Sequence, residues 1–148
     1  MTFYLDASVL VALMVKEDGA RAVADLLDAD ERPLIASDFA LAETAAALAR
    51  LVRVAVLSTG QLENTFARLD DWTSAATRHE PLSPGDVAAA NRLVRQPDLV
   101  LRAPDAIHIV MATRLKATLL TLDKGMARGA ALLGLPCINP AETSALKD

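Results

Sequence analysis

Short β-prone apolar runs alternate with helix-length segments along this chain from one end to the other. That alternation restricts the fold to an α/β domain with a mostly parallel central sheet. Residues 2–5 (TFYL) form the first run and stop at Asp6. Ser8 is placed to cap a helix through VLVALMV, and a second amphipathic helix covers residues 18–27. PLIA at 33–36 reads as a strand, after which Ser37 or Asp38 caps a long helix to about Leu51. Thr59-Gly60 opens another helix that runs to about Ala76. Ser83-Pro84 followed by Asp86 combines a cap, a proline at the first helical position and an acidic third position, which predicts a helix over 84–95. Pro104 opens the next helix, ending near Ala117, and TLLTL at 118–122 is the clearest strand. A helix over 125–133 meets its stop at Gly134, and LPCIN makes a last short strand. At 148 residues this is one domain, expected over 1–140, with a dispensable tail at 141–148.

Composition narrows the function classes. The chain is 53% hydrophobic and carries 3% aromatics, so it buries a full core and favours helices over an all-strand sandwich. One cysteine, Cys137, excludes an internal disulfide framework and fits a reducing compartment. No basic region precedes the first apolar run, and no stretch reaches the roughly 18 apolar residues a membrane span needs. A cytoplasmic protein without a membrane partner is expected. The net charge of −4 argues mildly against nucleic acid, because phosphates are usually met by Lys and Arg. That objection weakens if carboxylates are occupied by metal ions, since a bound divalent ion reverses the local sign.

The acids fall in unusual places. Asp6 is the only charged residue among the first fifteen, and Glu43 the only one between Phe39 and Ala49. Asp105 follows a proline and precedes AIHIVMAT, while Asp123 ends TLLTL. An isolated carboxylate is expensive to bury, so an acid in such a run usually has a partner or a metal. Each also has a plain structural use. Asp6 can end a strand and accept from the next helix, Asp105 suits a helix N-terminus, and Asp123 is a good turn former in LDKG. Glu43 stands mid-helix, where neither cap nor turn explains it. Ligands of open parallel α/β sheets bind beyond the carboxyl ends of the strands, and Asp6 and Asp123 both follow predicted strands directly. Four acids converging there need compensation, which Mg²⁺ or Mn²⁺ supplies, and no His/Cys cluster recruits zinc. Metal-assisted phosphoryl hydrolysis is the chemistry that uses such a site.

Other candidates surround the four. Ser8 can cap a helix or bond a carboxylate. Thr121 shares a strand side with Asp123 and is placed to steady it. His108, three residues after Asp105 on one helix face, suits packing or support better than a general base. Lys124 and Arg128 are candidates for substrate phosphates, or solvated residues at a helix start. Arg50 and Arg53 lie further along the Glu43 helix, with Arg50 on its face. Neither GxxxxGK[ST] nor GxGxxG occurs, so ATP or a dinucleotide has no support.

Taken in order, YLDASVLVAL, SDFALAETAAALAR, LRAPDAIHIVMA and TLLTLDKGMARGAALLGLP resemble the successive conserved segments of the PIN domain, and within it the VapC toxins of type II toxin–antitoxin pairs. The resemblance covers about residues 2–138. It implies a three-layer α/β/α fold and a Mg²⁺- or Mn²⁺-dependent endoribonuclease. Metal-activated water would attack the RNA phosphodiester, leaving a 5′-phosphate and a 3′-hydroxyl. Asp6, Glu43 and Asp105 would form the main metal site, with Asp123 helping a second or weaker one, and Ser8 and Thr121 match accompanying hydroxyls. It also implies a homodimer and a VapB-like, DNA-binding antitoxin that inserts a C-terminal segment into the site.

Rival readings fit less well. A haloacid-dehalogenase-type aspartate phosphatase wants a second Asp two residues after the first, where this chain has Ser8, and leaves Glu43 without a role. A response-regulator-like phosphoacceptor usually has adjacent acids after its first strand, whereas Asp6 stands alone. A catalytically inactive PIN-fold interaction protein would be expected to lack one or more of the acids. An RNA-binding module without catalysis would show basic patches with interleaved aromatics, which this chain lacks.

Overall fold

The computed structural model describes residues 1–144. Five strands form one sheet in the order β3-β2-β1-β4-β5, and every neighbouring pair is parallel. They are β1 (Phe3–Leu5), β2 (Leu34–Ser37), β3 (Thr77–Glu80), β4 (Thr118–Leu120) and β5 (Cys137–Ile138). Parallel neighbours need crossovers, and helices supply them. α1 (Ala7–Val15) and α2 (Ala20–Ala29) join β1 to β2, while α3 (Asp38–Arg53) and α4 (Thr59–Ala76) join β2 to β3. α5 (Pro84–Val94), a 3-10 turn (Pro97–Leu99) and α6 (Ala103–Arg114) lead back to β4, and α7 (Lys124–Leu132) joins β4 to β5.

The period-two alternation of strand side chains sorts the core into two halves. Tyr4, Ile35 and Leu119 point to one face, where Ile109, Met111 and Ala112 of α6 and Met126 and Ala130 of α7 cover them. Phe3, Leu5 and Leu120 point to the other, against Val9 and Leu10 of α1, Val23 of α2 and Ala40 of α3. α4 adds to this second layer through Leu69, which packs with Val11, Met14 and Leu48. The result is the expected three-layer α/β/α arrangement. Both faces being covered explains why the central strands read as unbroken apolar runs.

Three local features differ from the sequence reading. β3 was not anticipated, because its residues (TRHE) are charged and only partly buried, as suits an edge strand that must discourage further pairing. Helix α1 is capped by Asp6 rather than Ser8: the Asp6 side chain accepts from the Val9 N–H. Residues beyond Pro140 begin with a short helix, α8 (Pro140–Ser144), lying against α2, and 145–148 fall outside the described residues. Among the described residues, no helix is long and apolar enough to cross a membrane.

Candidate active site

From β1 the chain moves outward through β2 to β3, then returns to lay β4 on the opposite side of β1. The crevice beyond the carboxyl ends of β1 and β4 is therefore the topological switch point, where parallel α/β sheets bind ligands. A pocket of about 180 Å³ opens there, lined by Asp6, Ala7, Ser8, Glu43, Arg102, Pro104, Asp105, His108, Asp123 and Met126. All four predicted acids face it.

Asp6 is the floor. It is 1% exposed, with Oδ1 accepting from the Ser8 hydroxyl at 2.6 Å and the Val9 N–H at 3.1 Å, and Oδ2 accepting from the Thr121 hydroxyl at 2.6 Å. Burial pushes its carboxyl above the ordinary range, against the opposing pull of His108 and these hydrogen bonds. Ser8 in turn accepts from the Leu122 N–H at 2.9 Å. Thr121 lies just past the end of β4, because the strand stops at Leu120 and not at 122. Its hydroxyl accepts from the Asp123 N–H at 2.9 Å, so it bonds the carboxylate of Asp6 and only the backbone of Asp123.

Glu43, on the sixth residue of α3, meets His108 of α6 across the pocket wall. Glu43 Oε2 and His108 Nε2 are 2.5 Å apart, and His108 is buried. The other ring nitrogen, Nδ1, lies 3.0 Å from the Tyr4 hydroxyl, which lies 2.8 Å from Ser37 Oγ. Ser37, Tyr4, His108 and Glu43 thus form one continuous hydrogen-bonded chain, in which an Nε2 proton on His108 donates to Glu43. Tyr4 and Ser37 had looked like ordinary strand and cap residues, and nothing in their local sequence marks them as support for Glu43.

Asp105 and Asp123 are at helix N-termini. Asp105 accepts from the Arg102 N–H at 3.0 Å at the start of α6, and Asp123 caps α7 through the Met126 N–H at 2.8 Å. With Asp6 on α1, three helix N-termini converge on the pocket, and each carboxylate accepts from a backbone N–H there. Arg102 was missed by the sequence reading, although its three-residue spacing to Asp105 within LRAPD is a recognisable helix-start ion pair. Its guanidinium donates from Nε to Asp105 Oδ2 and from one terminal nitrogen to Asp105 Oδ1, both at 3.1 Å, and reaches Asp123 Oδ2 at 3.4 Å. Gly129 lets this segment close on α7, since a Cβ there would fall 2.5 Å from Leu101 Cδ2.

The remaining cationic candidates lie elsewhere. Lys124 and Arg128 line a neighbouring depression with Cys137, Asn139 and Glu142. Arg50 and Arg53 are exposed in the last turn of α3. Cys137 is half-buried and its thiol is pushed up to about 11 by burial, which makes it a poor nucleophile.

The donor chemistry suits a hard divalent cation: four carboxylates, no cysteine thiol, and a histidine with both ring nitrogens engaged. In this side-chain arrangement no three of the acidic, histidine or cysteine groups among the described residues are gathered closely enough to hold one ion. Arg102 contacts Asp105 and Asp123, and His108 contacts Glu43.

Comparison with known proteins agrees with the fold. The PIN domain family matches residues 3–132. The crystal structure of FitAcB from Neisseria gonorrhoeae is similar at a TM-score of 0.73 and 19% identity, covering 94% of this chain and 98% of that one. VapC20 of Mycobacterium tuberculosis, described as a sarcin–ricin loop cleaving toxin, is similar at a TM-score of 0.69 and 17% identity, covering 90% and 96%. A toxin–antitoxin complex from Klebsiella pneumoniae is similar at 0.63 and 18%, covering 95% and 98%. No curated protein matches the sequence.

Proposed function

The chain belongs to the PIN domain family, and we propose that it is a Mg²⁺- or Mn²⁺-dependent endoribonuclease, the toxin of a type II toxin–antitoxin pair. The observation that carries this reading is the meeting of Asp6, Glu43, Asp105 and Asp123, from four separate segments, in one pocket at the switch point of the sheet. Likeness to a sarcin–ricin loop cleaving toxin and to a toxin–antitoxin complex supports it.

Asp6, Glu43 and Asp105 are the proposed metal ligands, with Asp123 contributing to a second or weaker site. A divalent ion held by these carboxylates would supply positive charge and a water nucleophile for hydrolysis of the phosphodiester, the proposed products being a 5′-phosphate and a 3′-hydroxyl. The protein's part is preorganisation. Ser8 and Thr121 fix both oxygens of Asp6, and His108 fixes Glu43, so these carboxylates need little reorientation when a cation arrives. The helix N-termini of α1, α6 and α7 also present a positive field to an incoming phosphate.

The proposed partner is a VapB-like, DNA-binding antitoxin that carries Arg or Lys into the pocket, where a guanidinium bridges carboxylates and blocks the metal. The proposed assembly is a cytoplasmic homodimer; exposed Val54 and Val56 between α3 and α4 support an apolar contact there, whereas Leu48, Leu51, Leu62, Phe66 and Leu69 of those helices pack on one another within the monomer. Sedimentation of a monomer at tens of micromolar would remove the dimer.

The test is cleavage of total RNA by antitoxin-free protein, with and without Mg²⁺ or Mn²⁺, followed by end mapping. Metal-dependent cleavage that disappears in Asp6→Asn, Glu43→Gln and Asp105→Asn protein is expected. Wild-type rates in Asp105→Asn protein, or no cleavage with either metal, would defeat the reading.

A further inference from the structure

Among the residues lining the pocket, Arg102 alone is a guanidinium, and it covers two of the four acids. It contacts Asp105 through two nitrogens at 3.1 Å and Asp123 at 3.4 Å. The two carboxylates differ in setting: the Asp105 side chain is 7% exposed and that of Asp123 33%. Arg102 itself is 73% exposed, so it reaches the acids from the solvent side and is not walled in behind them.

We infer that Arg102 is a built-in competitor for the divalent cation, holding Asp105 and Asp123 while the pocket is without metal and leaving when an ion takes its place. This rests on the metal-dependent reading above. The reasoning is electrostatic and steric. A fork that engages both oxygens of one carboxylate and bridges to a second uses the acceptor sites an oxygen-preferring cation needs. A guanidinium cannot shed its charge at any accessible pH, so it leaves only by moving. Its exposure makes that movement cheap, because an exposed ion pair is weak and its released charge is rehydrated at once. The chain thereby relieves repulsion among its own carboxylates before metal arrives.

The test is titration of Mn²⁺ into partner-free protein, followed by calorimetry and by electron paramagnetic resonance of free Mn²⁺. Thermal melts confirm that each variant is folded. Arg102→Ala and Arg102→Gln should each bind Mn²⁺ about threefold to tenfold more tightly than wild type, the range expected when one or two exposed pairs are removed. Arg102→Lys keeps the charge without the fork and should fall between them and wild type. Lys124→Ala removes a neighbouring cation that lines a different depression and should change the affinity less than about twofold. Two variants at position 102 guard against one that fails to fold. Wild-type affinity in both neutral variants overturns the inference while leaving the metal reading intact. Equal tightening in Lys124→Ala also overturns it, because the effect would then be general charge and not competition for particular oxygens. Absence of Mn²⁺ binding in wild type and variants alike, or undiminished binding in Asp6→Asn protein, defeats the metal reading itself.

Discussion

Replacing His108 separates packing from the positioning of Glu43. The ring is buried and tilted against Phe39 and Tyr4, with centroids 5.1 and 5.8 Å away. His108→Phe keeps the ring volume and these contacts but removes both hydrogen bonds. The Tyr4 hydroxyl retains Ser37 at 2.8 Å and the Met111 sulfur at 3.5 Å, and Glu43, at 30% side-chain exposure, turns to water. No buried polar group is stranded, so the loss is that of one or two ordinary hydrogen bonds, about 1–2 kcal/mol. For a chain of this size that lowers Tm by about 2–8 °C. His108→Ala adds a cavity beneath Tyr4 and Phe39 costing about 2–3 kcal/mol more. The functional effect should run the other way round. Both variants free Glu43 equally, so both should lose about tenfold to a hundredfold in RNA cleavage at limiting Mn²⁺, in the manner of lost support behind a metal ligand. The half-saturating Mn²⁺ concentration should rise with it, which a purely structural role would not cause. The assay pairs calorimetric melts with initial cleavage rates across a Mn²⁺ series. Wild-type rates and Mn²⁺ dependence in folded His108→Phe protein would refute the positioning argument. An Ala variant as stable as the Phe variant would refute the packing estimate.

Three further outcomes follow from the same geometry. Asp6→Asn should abolish cleavage and raise Tm at neutral pH. Burial lifts the folded-state pKa of Asp6, so the stability tied to its protonated form is complete below the ordinary carboxylate value and lost as pH rises through the folded value. The Tm advantage of the Asn variant should therefore widen as pH rises above the ordinary carboxylate range, and a constant offset would contradict it. Arg114→Ala should cost about 2 kcal/mol, a Tm drop of about 4–8 °C, because it strands Asp86, which is 2% exposed and bonded by the Arg114 guanidinium at 2.8 and 3.0 Å. Burial raises the Asp86 pKa, but Arg114 and Ser83 outweigh it and leave it lowered, so the contribution is present above the ordinary carboxylate range and lost as pH falls through the folded value. The difference from wild type should accordingly shrink in acid, as melts near about pH 3 would show. Asp123→Asn should melt within about 0.5 °C to 2 °C of wild type, because Asn caps a helix as well as Asp. Asp123→Ala loses the Met126 cap and should fall about 2–4 °C, and equal melting of the two would show that the cap contributes nothing.

What was legible in the sequence divides by the range of the interaction. The apolar runs at Phe3–Leu5 and Thr118–Leu120 announced central strands because burial on both faces leaves no room for polar residues. Ser83, Pro84 and Asp86 announced α5 because a capping box is local. The four acids stood out because a lone charge in an apolar run is expensive wherever the chain goes. β3 was invisible for the opposite reason: an edge strand such as TRHE gets its identity from β2 beside it, not from its own pattern. The roles of Tyr4, Ser37 and Arg102 depend on neighbours 104, 33 and 21 positions away in their pairings with His108, Ser37's own partner Tyr4, and Asp123. No short window along the chain contains these pairings, although that of Arg102 with Asp105, three residues on, does lie within one.

The plain structural uses of the acids and their proposed chemical use turn out to be one arrangement. Asp6, Asp105 and Asp123 each accept from a backbone N–H at a helix N-terminus, which is why each had a plain structural use: as a strand end, at a helix's positive end and in a turn. A cap, however, does two things at once: it satisfies a backbone N–H, and it holds a carboxylate beside the positive end of a helix. Three such caps at one crevice concentrate negative charge at a place where the backbone already offsets part of its repulsion. Glu43 has no helix end to lean on, being inside α3, and there the side-chain chain through His108 and Tyr4 performs the same service. Capping and site formation are therefore not competing explanations for these residues. Local capping keeps three of the charges tolerable, and the parallel sheet, by ending β1 and β4 side by side, is what brings them together.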